Sequence, residues 1–142
     1  MPTEFPSSIP YDGSADDAPV SKLWYGVIIE GLRKGHERVH VAPTGDSTEF
    51  VIRACHEGAW ADLMRLPAQM YGLVVRRLKV MASLDLVRRT SFGEGRFILV
   101  HRDARFEIKA TVRVRDDGQE EVMVDLPVLP PNKRLKLAAR VD

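Results

Sequence analysis

The sequence has little of what most disulfide-bonded, metal-binding or membrane proteins use. It contains one cysteine, Cys55, among 142 residues, which excludes an internal disulfide and a zinc site built on several thiolates. No apolar run reaches the roughly 20 residues needed to span a bilayer. The N-terminus also lacks the basic-then-apolar layout of a secretory signal. These absences predict a cytoplasmic domain that does not insert into a membrane.

Common catalytic motifs are missing as well. The patterns GxxxxGK[ST], HExxH, GxSxG and GxGxxG do not occur. His36 and His40 are four residues apart, but this segment leaves a helix and enters a strand, so the spacing does not indicate a metal site. Cys55 and His56 are neighbours in a predicted strand, where adjacent side chains point to opposite faces. The sequence therefore predicts a protein that is not an enzyme and that uses no cofactor or metal.

Positive charge is concentrated in the middle of the chain. The formal net charge is +1, yet residues 76 to 115 hold eleven Lys or Arg against four Asp or Glu, a local charge of +7. Such a stretch favours phosphates, nucleic acid or an acidic protein surface, and it is equally typical of a solvated basic face. Aromatic residues are sparse within it, which disfavours a stacking platform for single-stranded nucleic acid.

Apolar periodicity predicts two helices and about six strands. Val20, Trp24 and Ile28 recur at helical spacing, and Gly35 is expected to end that helix. The alternation from Phe106 to Val114 is the clearest strand pattern. Other strands are predicted around Val39–Val41, Phe50–Ala54, Ala59–Leu66, Phe97–Val100 and Val122–Val124, with Asp117-Gly118 as a hairpin turn.

The same patterns predict whether particular side chains are buried or exposed, and where one loop lies. Trp60 is expected to be the main buried side chain of its strand, and Gly93-Glu94-Gly95 is expected to be a loop. In the second helix, which opens at Pro67 and ends near Leu84, Arg76 and Lys79 are expected to point to solvent. The inward stripe of that helix is predicted to be Met70, Leu73, Val74, Leu78 and Met81.

The fold class predicted from these elements is α+β. An antiparallel sheet of about six strands is expected to carry both helices on one face. Residues 1–17 mix prolines, serines and acids without apolar periodicity, so we predict a flexible leader there. Residues 18–126 are the predicted domain, and residues 127–142 are a predicted tail or linker.

Three stretches resemble a known family. They are residues 18–43, which open with APVSKL; residues 66–85, which contain LP and RLKVMASLD; and residues 95–109, which contain GRF and FEIK. Together they resemble the N-terminal, PAS-like domain that precedes the motor domain of type II secretion and type IV pilus assembly ATPases. The resemblance implies a PAS-like sheet with two helices on one face, and it covers about residues 18 to 126.

The resemblance also implies residue roles. In the family this domain packs against the motor domain and supplies arginines to nucleotide phosphates, for which the guanidinium fork is well suited. Arg96 matches one such arginine by position, and Arg89 matches the first arginine of the family's ERR segment. Lys109 replaces a second phosphate-facing arginine, and an ammonium cannot make the planar two-point contact. The predicted partner or phosphate contacts are Arg88, Arg89, Arg96 and Lys109, with Arg76 and Lys79 on a basic face.

These observations give one leading function and three alternatives. The leading hypothesis is an adaptor that binds a protein of a secretion or pilus machine, or a second copy of itself, with the packing retained and assistance to ATP hydrolysis lost. One alternative is anion or nucleic-acid binding along Arg76, Lys79, Arg88, Arg89 and Arg96. The others are a PAS-like sensor of a small ligand, for which the sequence names no binding residue, and an excised fragment of a full-length ATPase.

Overall fold

The computed structural model describes residues 3–6, 17–45, 48–84 and 92–133. In these residues two helices lie on a seven-stranded sheet. The strands are β1 (Thr3–Pro6), β2 (Arg38–Pro43), β3 (Glu49–His56), β4 (Ala59–Pro67), β5 (Phe92–His101), β6 (Ala104–Val114) and β7 (Glu120–Asp125). The helices are α1 (Asp17–Lys34) and α2 (Tyr71–Met81), and a 3-10 turn over Ala68–Met70 precedes α2.

The strand order across the sheet is β1-β5-β6-β7-β2-β3-β4. Strands β2 to β7 pair with one another in antiparallel fashion throughout, so the predicted α+β fold with six antiparallel strands and two helices is confirmed. The seventh strand, β1, pairs in parallel with β5. It lies inside the segment predicted as a flexible leader, in a position that the periodicity did not indicate. The proposed domain boundaries otherwise stay a prediction.

Both helices pack on the same face of the sheet. Trp24 and Ile28 of α1 join Val74 and Leu78 of α2 in one core with alternate strand residues, including Val39, Val41, Phe97, Leu99, Ile108, Val122 and Val124. The indole Nε1 of Trp24 donates a buried hydrogen bond of 3.0 Å to the carbonyl oxygen of Val74. This bond fixes α1 against α2, because an indole N–H buried without an acceptor is unfavourable.

Predicted turns are confirmed where glycine is required. Gly35 has φ of 80°, and α1 ends just before it, where the amide of His36 donates to the carbonyl of Gly31 at 2.8 Å. Gly118 has φ of 83° in the connection between β6 and β7, and its amide donates to the carbonyl of Arg115 at 2.9 Å. This connection is longer than a two-residue hairpin turn at Asp117-Gly118, because the last paired residues of the two strands are Val114 and Glu120. Both positions favour glycine because other residues rarely adopt this conformation.

Two expectations about burial are wrong. Trp60 is 45% exposed and Leu73 is 41% exposed. Trp60 lies in β4, the last strand of the sheet, most of whose residues are exposed. Leu73 lies on α2, where Val75 takes the buried position instead. In both cases the packing partners come from distant parts of the chain, which local periodicity does not reveal.

The stretch Gly93-Glu94-Gly95 is part of β5 and not a loop. Its glycines suggested a turn, but Gly95 serves a close approach between β5 and the end of α2. A Cβ at Gly95 would lie 2.2 Å from the carbonyl oxygen of Ala82. The helix also ends earlier than predicted, at Met81 instead of near Leu84. Among the described residues, no helix is long and apolar enough to cross a membrane.

Substituting Gly95→Ala is expected to destabilise the protein by roughly 1–3 kcal/mol, because the new methyl group meets a backbone oxygen that cannot rotate away. The matched control is Gly26→Ala in α1, where the Cβ would meet nothing within 4 Å. That change is expected to stabilise the protein by about 0.5–1 kcal/mol through helix propensity. Urea unfolding of both variants measures the difference, and equal stability of the two would contradict the close approach.

Candidate interaction face of the sheet

The sheet face opposite the helices carries charged side chains at alternating strand positions. We call it the open face, because no described helix packs on it. Its register can be followed across six strands, from β5 through β6, β7, β2 and β3 to β4. The aligned residues are Arg96, Lys109, Asp125, Arg38, Cys55 and Trp60.

Arg96 and Lys109, two of the predicted contact residues, are direct neighbours in this row. Both are paired with acids of the same sheet. Arg96 Nη1 lies 2.8 Å from Glu107 Oε1, and Lys109 Nζ lies 3.0 Å from Glu94 Oε1 and 3.7 Å from Asp125 Oδ2. The hydrogen bond to Glu107 also raises the pKa of Arg96 above its ordinary value. The open face is therefore a mixed ionic surface.

The row ends with an aromatic side chain. Asp125 also pairs with Arg38 of β2, with Arg38 Nε 3.4 Å from Asp125 Oδ1. Trp60 aligns with Cys55, the neighbour of Arg38, and its ring meets His40 edge-on at 6.0 Å between centroids. A half-exposed tryptophan beside charged groups is typical of the anchor residues of protein interfaces.

A second ionic group on the open face includes the partly buried carboxylate of Glu121. Its Oε2 lies 3.2 Å from His40 Nε2, and its Oε1 accepts a hydrogen bond from Arg113. Burial alone would raise the pKa of Glu121. The hydrogen bonds from Arg113 and His40 outweigh burial and hold this pKa below the ordinary value of 4.5.

The remaining predicted bases do not join Arg96 and Lys109. Arg76 is exposed on α2, in the helix layer on the other side of the sheet. Lys79 is 7% exposed, and its ammonium pairs with the carboxylate of Glu120. The expectation that Lys79 points to solvent is wrong, because β7 supplies an acid partner that helical periodicity cannot show. Arg88 and Arg89 lie outside the described residues.

The described residues offer little for catalysis or metal binding. Cys55 is buried, whereas His56 is exposed and its Nδ1 lies 2.9 Å from the carbonyl oxygen of Gly35. Within the part of the chain that the structure describes, no group of three or more His, Cys, Asp or Glu side chains could hold a metal ion.

The amino-acid sequence of the chain is similar to segments of secretion and pilus ATPases. The chain is 35% identical over 83 residues to the type IV pilus assembly ATPase PilB of Myxococcus xanthus, a match that covers 58% of this chain and 14% of the relative. It is 24% identical over 120 residues to the type II secretion system protein E of Dickeya dadantii, covering 84% of this chain and 24% of the relative. It is 27% identical over 110 residues to the type II secretion system ATPase E of Vibrio cholerae, covering 78% and 22%. No protein-family model matches the chain.

These matches confirm the resemblance inferred from the sequence. The chain spans between 14% and 24% of the length of the three relatives, so the similarity concerns one segment of each.

The different positions of Lys79 and Arg76 give a test of the described geometry. Lys79→Met is expected to destabilise the protein by about 3 kcal/mol, because it removes the buried ammonium that pairs with the Glu120 carboxylate. Arg76→Met, at an exposed position of the same helix, is expected to change stability by less than about 0.5 kcal/mol. Chemical denaturation measures both values, and a similar small effect for the two variants would contradict the buried ion pair.

The lowered pKa of Glu121 predicts a pH dependence of stability. A carboxyl whose pKa is lower in the folded state stabilises the fold above its unfolded pKa, about 4.5, and this contribution is lost as pH falls through the folded pKa. The Glu121→Gln variant lacks this pH-dependent stabilisation. The free energy of unfolding of the variant is therefore expected to fall less steeply below pH 4.5 than that of the unmodified chain.

Denaturation midpoints from pH 6 to pH 3 measure this difference. Glu57→Gln is the control, since the Glu57 side chain is 83% exposed, and it is expected to follow the unmodified chain. A parallel pH profile for Glu121→Gln and Glu57→Gln would refute the assignment.

Proposed function

Because the chain is related to a segment of type II secretion and type IV pilus assembly ATPases, we propose that it is a non-catalytic protein-interaction module. Its open face binds a protein component of a secretion or pilus machine. The observation that carries this proposal is the register-aligned row from Arg96 to Trp60, which joins charges of both signs to an exposed aromatic ring.

The charge pattern favours a protein surface over a free phosphate or nucleic acid. Arg96 already pairs with Glu107, and Lys109 already pairs with Glu94 and Asp125. A phosphate would have to compete with these carboxylates and would be repelled by them. A protein partner that carries both acids and bases can replace the ion pairs within the open face by ion pairs across the interface. Each exposed pair that is broken contributes only about 0–1 kcal/mol to stability. The exchange therefore costs little.

Affinity in such an interface comes mainly from a few buried anchors. Trp60 is the best candidate on the open face, because it is a large side chain that is 45% exposed and lies next to His40. Rim charges contribute chiefly to the rate and selectivity of association. In this proposal Trp60 supplies contact area, and Arg96 and Lys109 select a partner with a complementary pattern.

The partner that we propose is the remaining part of a secretion or pilus ATPase. The relatives are named as ATPases or secretion proteins, and the matched segment is at most 24% of the length of the three compared here. Most of each relative therefore lies outside the matched segment, and we propose that the binding surface lies in that remaining part. The module itself hydrolyses no nucleotide in this proposal.

The experiment uses the secretion and pilus ATPases encoded by the organism that carries this chain, each expressed without the matching segment. Light scattering after size-exclusion chromatography and calorimetry measure complex formation with the full chain. Arg96→Glu combined with Lys109→Glu, and separately Trp60→Ala, are expected to weaken binding at least ten-fold. Arg76→Glu, in the helix layer, is the matched control and is expected to leave binding unchanged.

Circular dichroism confirms that each variant is folded before binding is compared. Unchanged binding by both open-face variants would reject the proposed surface. A complex formed only between copies of this chain would reject the proposed partner, and sustained ATP turnover by the chain alone would reject the non-catalytic role.

A further inference from the structure

A partly enclosed cavity of about 470 Å³ lies where the β5–β6 hairpin meets the segment that follows β7. Its volume falls in the range of about 300–1,000 Å³ that is typical of small-molecule sites. It includes Glu107 but neither Arg96 nor Lys109. The cavity is therefore largely separate from the row that carries the proposed function.

One side of the cavity is apolar. Its lining includes Ala104 and Phe106 of β6 together with Pro127 and Leu129 of the segment after β7. Phe106 is 8% exposed and belongs to the core, and Ala104 and Leu129 pack partly buried against that core. A wall supported in this way suits the hydrocarbon or aromatic body of a small molecule.

The other side of the cavity is basic. Arg102, Arg105 and Lys133 line it with His101, and Glu107 is the one acid among the lining residues. Glu107 is paired with Arg96, and Arg105 is paired with Glu4. With Glu4 counted beside Glu107, three Lys or Arg side chains stand against two carboxylates, and this net positive charge favours an anionic group, with which arginine can form charge-assisted hydrogen bonds.

The turn that places Arg102 at the cavity has an unfavourable backbone. His101 pairs with Ala104, so Arg102 and Asp103 form a two-residue hairpin turn, with φ values of 49° and 68°. Such turns prefer Asn, Asp and Gly, so Asp103 is tolerated, whereas Arg102 in this conformation costs on the order of 1 kcal/mol. An arginine where glycine would relax the backbone is consistent with a role for its guanidinium at the cavity.

We propose that this cavity binds a small, water-soluble amphipathic anion, with an apolar body against Phe106 and Leu129 and one carboxylate or similar head group at Arg102 and Arg105. The apolar wall and the basic rim are each needed, because neither a bare anion nor a neutral apolar molecule satisfies both. The proposal is independent of the protein-interaction role of the open face.

The test titrates the full chain with octanoate, 1-octanol and inorganic phosphate by calorimetry. Octanoate is expected to bind at least ten-fold more tightly than either of the other two, because it alone carries both the body and the head group. Equal binding of phosphate would indicate a bare anion site, and equal binding of octanol would indicate a purely apolar one. Either result, or no binding of octanoate, overturns the proposal.

Variants locate the binding. Arg102→Gln combined with Arg105→Gln is expected to weaken octanoate binding at least ten-fold, and Leu129→Asn is expected to weaken it with no gain in phosphate affinity. Arg53→Gln is the matched control, because Arg53 is also an exposed strand arginine with an acid partner, Asp62 at 3.0 Å. Octanoate binding by the double arginine variant equal to that of the control would refute the site.

Discussion

The hydrogen bond from Trp24 to the carbonyl oxygen of Val74 is the constraint on which the architecture depends. It joins α1 to α2 inside the core, so both helices cover the same face of the sheet. Alternate strand residues must then be apolar, and those between them face away from the helices. The asymmetry of the sheet, with one packed and one charged face, follows from this arrangement of the helices.

Charge that is concentrated in the sequence is dispersed in the structure. The described bases of residues 76 to 115 divide between the helix layer, the interior and the open face, as Arg76, Lys79 and Arg96 illustrate. Strand register then brings acids from other strands beside them, including Asp125 beside Lys109. The described bases of this stretch therefore lie in an ionic network of both signs, and this is the reason why we propose a protein partner in preference to a polyanion.

The sequence predicts features that depend on neighbouring residues and misses those that depend on strand order. The alternation from Phe106 to Val114, the end of α1 at Gly35 and the turn at Gly118 are local and are confirmed. The burial of Lys79 requires knowledge that β7 brings Glu120 to α2, and the exposure of Trp60 requires knowledge that β4 is an edge strand. At the candidate site, the family resemblance predicts Arg96 and Lys109 as contact residues. Their acid partners depend on the register between β5, β6 and β7, which no local pattern specifies.

The edge strand β4 is poorly suited to backbone pairing with a partner strand. Its ladder with β3 shifts register between Ile52 and Arg53, and such a bulge disturbs the regular row of backbone groups that a partner strand needs. Charged side chains add to this protection, since Asp62 pairs with both Arg53 and Arg65, and Pro67 ends the strand. These features oppose edge-to-edge addition. For the partner that we propose, β4 therefore presents the side chain of Trp60, which extends the open face to the margin of the sheet.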